Sequence, residues 1–149
     1  MKAGLEPKIY EFRTRSVWVD AREGILSSDE RKQIEVGCPP EFGGRHGYWT
    51  AEHLFVAAID TCIMTTFRWL FAKARGSLVA YTSDAVGKAC IVSSDFRLDE
   101  VEIRPLIVVS DPRDVSKAKS AINTAHSTCL ISKALNLRVT VTPVVKTDE

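Results

Sequence analysis

Four cysteines, at positions 38, 62, 90 and 129, are the residues of this chain with the most chemistry available to them. A thiol acts as nucleophile or redox centre only as its thiolate, so the setting of each one decides what it can do. No two stand at Cys-x-x-Cys spacing, and they form no dense disulfide framework. Cys62 lies at the midpoint of a long apolar stretch, where by itself it reads as a small buried hydrophobe. Cys129 follows Thr128, a residue able to cap the short helix expected next. That would put the thiol at a helix N-terminus, where a thiolate is favoured. Cys38, on a proline-flanked loop, and Cys90, in an expected strand, have no comparable setting.

Other residues invite chemistry less strongly. His46, His53 and His126 raise a metal reading, with His126 and Cys129 as one pair, but zinc needs four ligands and no second pair is evident. No metal and no cofactor is expected. Gly43, Gly44 and Gly47 lack the Lys-Ser/Thr ending of a phosphate loop. On their own, Arg45 reads as a solvated loop charge and Glu52 as a favourable first-turn acid.

The element that must hold Cys62 is the stretch from Thr50 to Arg75, TAEHLFVAAIDTCIMTTFRWLFAKAR. Thr50 suits an N-cap, Glu52 the first turn, Lys73 and Arg75 the last turn, and Gly76 a left-handed close. Leu54, Phe55, Val56, Ile59, Ile63, Met64, Phe67, Trp69, Leu70 and Phe71 make the middle apolar on nearly every face, which predicts a helix buried all round. Glu52, His53, Asp60 and Arg68 interrupt the run and argue against a membrane span. Ahead of it, Lys8 to Val19 reads as a strand, with a turn at Ala21 to Gly24 in which Gly24 is free to take positive φ. Ile25-Leu26 and Lys32 to Val36 are two further strand pieces, ended by Pro39 and Pro40. A glycine-rich loop, Glu41 to Gly47, then leads into the helix.

After Gly76, Leu78 to Tyr81 and Ala85 to Val92 form one long strand or a bent pair, and Val101 to Val109 alternates like a half-buried strand. Ser110-Asp111-Pro112 signals a helix start at Pro112. That helix runs to about His126, a short one spans Ile131 to Leu135, and Leu137 to Val145 is a last strand, at an edge because of Pro143. The order predicts an α+β fold in a single domain, residues 1–149. One small sheet cannot cover a helix apolar on every side, so a second copy of the chain is expected over it.

Composition narrows the function classes. The chain is 45% hydrophobic and 26% charged, with net charge +1. Up to Arg75 there are 11 basic and 10 acidic residues, and beyond it 9 of each. Neither half invites a nucleic acid or an anionic membrane. MKAGLEPKIYEF has no apolar signal core, so a cytoplasmic setting with reduced thiols is expected.

The block TAEHLFVAAIDTC resembles the signature of the OsmC/Ohr superfamily, a Glu in the first turn and a Cys ten residues later. HSTCLISKAL resembles that family's second-cysteine segment, and the 67 residues between Cys62 and Cys129 suit it. The resemblance extends from about Phe12 onward. It implies a thiol peroxidase acting on organic hydroperoxides, with Cys62 as peroxidatic nucleophile and Cys129 resolving the sulfenate as a disulfide. By the same resemblance, Glu52 and an Arg would orient the thiolate. Arg45, in the loop before the long helix, matches the OsmC branch, while the Ohr branch points to Arg15 or Arg22. The resemblance further implies an intertwined homodimer and suggests a lipoyl-type dithiol as reductant. An apolar lining of Phe55, Ile59, Met64, Phe67 and Trp69 would favour alkyl or lipid hydroperoxides. Gly-Tyr-Trp-Thr-Ala before Glu52 and Leu130 after Cys129 depart from the family pattern. They motivate the alternative of an OsmC-like small-molecule-binding or structural dimer with little turnover. On one helix, Glu52 and Cys62 are about 15 Å apart along the axis and roughly 80° apart around it. If both serve one site, Glu52 comes from the other subunit.

Overall fold

The computed structural model describes residues 9–135 and 137–148. Lys8, where the expected first strand begins, lies outside the described residues. The chain forms two compact units, Met1–Ala51 and Glu52–Glu149.

The first unit is a three-stranded antiparallel sheet of β1 (Arg15–Asp20), β2 (Glu23–Ser27) and β3 (Ile34–Gly37). The turn between β1 and β2 is made differently from the sequence expectation. Ala21, not Gly24, takes positive φ, at 42°, and Trp18 Nε1 donates to its carbonyl at 3.2 Å. Gly24 lies in β2 opposite Trp18, where a Cβ would stand 2.7 Å from the Val17 carbonyl oxygen. After Cys38 and Pro39, Pro40–Phe42 makes one 3-10 turn closed by Gly43 at φ 82°. The loop then returns to the sheet edge, with the Trp49 N–H donating to Glu35 O at 3.1 Å and the Gly37 N–H to Trp49 O at 2.9 Å.

The second unit is built on α1 (Ala51–Lys73), the long helix. Its fully buried residues Ile59, Ile63, Phe67 and Phe71 recur every four residues and form a single stripe. The expectation of burial all round is not met within one chain, since Trp69 on another face is 61% exposed. By length and mean hydropathy (1.5) α1 could cross a membrane. Here its stripe joins the core shared with β5 (Asp95–Val109), whose Val101, Ile103, Pro105, Ile107 and Val109 all face inward as the alternation required. Each such Ile or Phe contributes about 1.5–3 kcal/mol by leaving water.

β4 (Leu78–Val92) is one continuous strand with bulges after Leu78 and Lys88, hairpinned to β5 through Ser93 and Ser94 at φ 51° and 74°. β5 thus starts six residues earlier than its apolar alternation, at Asp95 rather than Val101. Glu100 holds this charged half in place by ion pairs to Lys88 at 3.3 Å and Arg138 at 3.2 Å. The expected last strand is two, β6 (Arg138–Val141) and β7 (Val144–Thr147), both parallel to β5 and interrupted at Pro143, which has no N–H to give.

α2 (Asp114–Thr128) starts two residues after the expected Pro112, because Asp111 Oδ1 takes the Arg113 N–H at 2.8 Å and closes a turn first. The Arg113 guanidinium on Asp111 holds that carboxyl down to about 2. Asp114, only 5% exposed, accepts from Lys117 at 2.6 Å and from the Ser77 N–H at 2.9 Å, tying the start of α2 to the turn after α1. Ala118, Ala121, Ile122 and Ala125 are its buried face.

The end of α1 also corrects the expectation. Arg75, at φ 56°, is the left-handed residue; its N–H bonds to Ala72 O and that of Gly76 to Phe71 O, at 2.9 and 3.0 Å. This is a Schellman close shifted one residue, and Gly76 is needed for space, since a Cβ there would run into the Phe71 ring. Gly76→Ala is therefore expected to destabilise the fold by about 1–3 kcal/mol. A urea-denaturation midpoint lowered at unchanged slope would show it; an unchanged midpoint would contradict the contact.

Candidate active site

The two cysteines singled out by sequence meet in the second unit. Cys62, halfway along α1, is half-buried against the core, while Cys129 is 0% exposed and part of it. Cys129 occupies the break between α2 and α3 (Leu130–Lys133), with φ −56° and ψ 117°. Its expected cap is corrected. Thr128 is the last residue of α2 and donates to Thr124 O at 2.7 Å; Cys129 is itself the cap, its Sγ accepting the Ser132 N–H at 3.4 Å. Both sulfurs are free thiols.

The electrostatics of the pair are asymmetric. Burial, and then the Cys129 thiol, push Cys62 up, against the N–H groups of Ile131 and Leu130, which favour its thiolate. Burial opposes charge on Cys129 as well. There the Ser132 hydroxyl and N–H, the Cys62 thiol and the Ile131 N–H outweigh it and hold Cys129 down. The Ser132 oxygen is buried with no other hydrogen-bond partner among the described residues, so its proton can turn to the nearby sulfur. The surroundings therefore favour the charged form of Cys129 over that of Cys62. The amides that do this belong to one turn of α3, placed by the bend at Cys129.

The other expected residues stand as follows. Glu52 is in the first turn of α1, with Oε2 buried and no hydrogen-bond partner among the described residues. Arg45, in the first unit, is ion-paired through Nε to Glu23 Oε1 at 3.0 Å. Arg22 packs its guanidinium beside Gly43, 3.1 Å from where a Cβ would stand, and Arg15 begins the exposed strand β1. The apolar lining expected around Cys62 is not one surface: Ile59 and Phe67 are wholly inside the core, and Trp69 is exposed beneath the Lys73 ammonium at 5.1 Å. A groove of about 410 Å³ lies instead along α1 and α2, lined by Leu70, Ala74, Lys117, Ser120 and Thr124 among others. His126 donates from Nε2 to Val139 O at 3.0 Å, and no group of three metal-ligating side chains occurs among the described residues. Cys90 donates to Asp99 at 3.3 Å and Cys38 to Phe42 O at 3.6 Å. Ser132 was not singled out by sequence, although Cys-x-x-Ser across a helix start is the spacing that brings the fourth residue's amide back to the cap.

A family model described as OsmC-like protein matches residues 44–144, a span that includes Arg45, Glu52, Cys62 and Cys129. The chain belongs to the OsmC-like family. Its fold is shared with an OsmC-like protein of unknown function from Vibrio cholerae, 21% identical, with a TM-score of 0.83 over 91% of this chain and 100% of that one. It is shared too with an organic hydroperoxide resistance protein from Elizabethkingia anophelis, 23% identical, TM-score 0.72, covering 96% of this chain and 100% of that one. A Legionella pneumophila protein called an organic hydroperoxide resistance protein is 19% identical, with TM-score 0.71 over 96% and 100%. No curated protein matches by sequence.

The asymmetry of this OsmC-like pair is measurable. In a Cys38→Ser/Cys90→Ser background, thiolate absorbance near 240 nm should rise in two steps with pH. Cys62→Ala should move the lower step up, by removing a donor, and Cys129→Ala should move the upper step down. Two thiols titrating together, unaffected by each other's removal, would contradict the assignment.

Proposed function

We propose that this OsmC-like protein is a cysteine-based peroxidase that reduces organic hydroperoxides in the cytoplasm. The observation that carries the reading is a part-exposed thiol, Cys62, set against a buried, more acidic one, Cys129, on a separate element. The names of the Elizabethkingia and Legionella relatives point the same way. The Cys62 thiolate attacks the distal peroxide oxygen, the O–O bond breaks, and the alkoxide leaves with a proton as the alcohol. The Cys62 sulfenic acid is then attacked by the Cys129 thiolate, expelling hydroxide as water and leaving a disulfide. A resolving thiol held as thiolate is suited to this second step. An external dithiol of lipoyl type restores both thiols.

Cys62 is the harder thiol to ionise in one chain, so its activation needs further charge. Arg45 is assigned that role and Glu52 the orientation of the guanidinium. The α1 geometry keeps Glu52 about 15 Å along the axis from its own chain's Cys62, so a homodimer with composite sites completes the arrangement. The apolar faces that α1 leaves outside its buried stripe are the surface a second copy would cover.

The test is consumption of cumene hydroperoxide with dihydrolipoamide. Cys62→Ser should abolish turnover, and Cys129→Ser should leave at most a single slow oxidation of Cys62. Mixing Glu52→Ala with Cys62→Ser subunits should recover part of the activity, because exchanged dimers keep one intact site. Undiminished turnover in Cys62→Ser would remove the peroxidase assignment, and no recovery on exchange would remove the composite site. The raised pKa of Cys62 favours a second reading, a small-molecule-binding or structural dimer with little turnover. It predicts no hydroperoxide consumption by the wild-type protein.

A further inference from the structure

The reduction of the disulfide has a direction built into the fold. We propose that Ser132 is a positioning residue that holds the Cys129 sulfur as the leaving group, so that an external dithiol enters the Cys62–Cys129 disulfide by attacking Cys62. This rests on the disulfide step of the proposed function and adds which sulfur is attacked and what decides it.

Three observations converge. Cys129 is wholly buried and Cys62 is not, so an incoming thiolate can approach the Cys62 sulfur and not its partner. The Cys129 sulfur caps α3 and accepts the Ser132 N–H at 3.4 Å. The Ser132 hydroxyl oxygen is buried, has no other hydrogen-bond partner among the described residues, and lies close enough to the Cys129 sulfur to favour its thiolate. A buried hydroxyl without a partner is costly, and one beside a sulfur that acquires charge in the reaction is relieved when the charge appears. Thiol–disulfide exchange is faster when the departing sulfur is the better-stabilised thiolate. Accessibility and leaving-group stabilisation therefore select the same sulfur.

The step balances without any further reactant. One thiolate of the dithiol forms a bond to Cys62 Sγ, and the Cys62–Cys129 bond breaks with its electron pair passing to Cys129, which leaves as thiolate under the Ser132 hydroxyl and amide. The second thiolate of the dithiol then attacks the dithiol's own sulfur in the mixed disulfide. The reductant closes as a cyclic disulfide, oxidised by two electrons, and Cys62 departs and takes a proton. The higher pKa of Cys62 suits it to being the sulfur that ends protonated.

The experiment uses full-length Cys38→Ser/Cys90→Ser protein, oxidised with diamide so that disulfide formation does not depend on peroxidase activity. It is then treated briefly with cysteamine, quenched in acid, alkylated and mapped by peptide mass spectrometry. The expected mixed disulfide is on Cys62. Ser132→Ala should slow dihydrolipoamide reduction about threefold to tenfold and shift Cys129 ionisation to higher pH, read from 240 nm absorbance in a Cys62→Ala background. Ser132→Thr, which keeps the hydroxyl, should restore both. Cysteamine on Cys129, equal labelling of the two sulfurs, or failure of diamide to close the bond would overturn the inference. So would a Ser132→Ala protein with unaltered reduction rate and titration. If diamide closes the bond and cumene hydroperoxide does not, the peroxidase reading fails while the direction of reduction stands on the labelling.

Discussion

The docking of the α1 stripe into the core it shares with β5, alongside β4, is the contact on which the thiol site depends. Ile59, Ile63, Phe67 and Phe71 are spaced four apart, and a ridge of that spacing fixes the rotation of the helix about its own axis. Cys62 lies next to Ile63 and is thereby held at the margin of the core, half in and half out. The alanine-rich inner face of α2 lets that helix into the same core, and its end delivers Cys129. If α1 were rotated by one residue, about 100°, the sulfur would leave the pair. The stripe thus sets stability and chemistry together.

The bend at Cys129 supplies the second constraint. Because α2 stops there and α3 restarts at once, the amides at the start of α3 have no helical partners, and sulfur takes their place. Leu130 and Ile131 favour charge on Cys62, and Ile131 and Ser132 on Cys129. One turn of backbone serves two thiols, which the longer helix α1 cannot do from its midpoint, where every amide is bonded within the helix.

Much of this was legible in the sequence, and the misses have identifiable causes. The alternation of Val101 through Val109 required an inward-facing strand, and the apolar spacing of α1 required a core helix. The first half of β5, DFRLDE, carries no such signal, since cross-strand ion pairs through Glu100 hold it rather than burial. Gly24 and Gly76 suggest conformational freedom in the sequence, but both serve close approach, and Ala21 and Arg75 take the positive φ. The blocks around Cys62 and Cys129 point to the two thiols that the fold brings together, while Glu52 stands at the start of α1 as an assignment by resemblance. Ser132 was not legible, because a lone serine after a cysteine shows its role only once the helix break is known. An apolar lining around Cys62 was expected from residues that, at helical spacing, necessarily point in several directions.

The central claim is that Cys62 and Cys129 form one redox pair. Stepwise addition of cumene hydroperoxide to the Cys38→Ser/Cys90→Ser protein, with thiols counted and peptides mapped after each addition, tests it most directly. One equivalent should consume both thiols and yield a single linked species joining the Cys62 and Cys129 peptides. Thiols that survive the addition, or Cys62 oxidised to sulfinic acid while Cys129 remains free, would contradict the account.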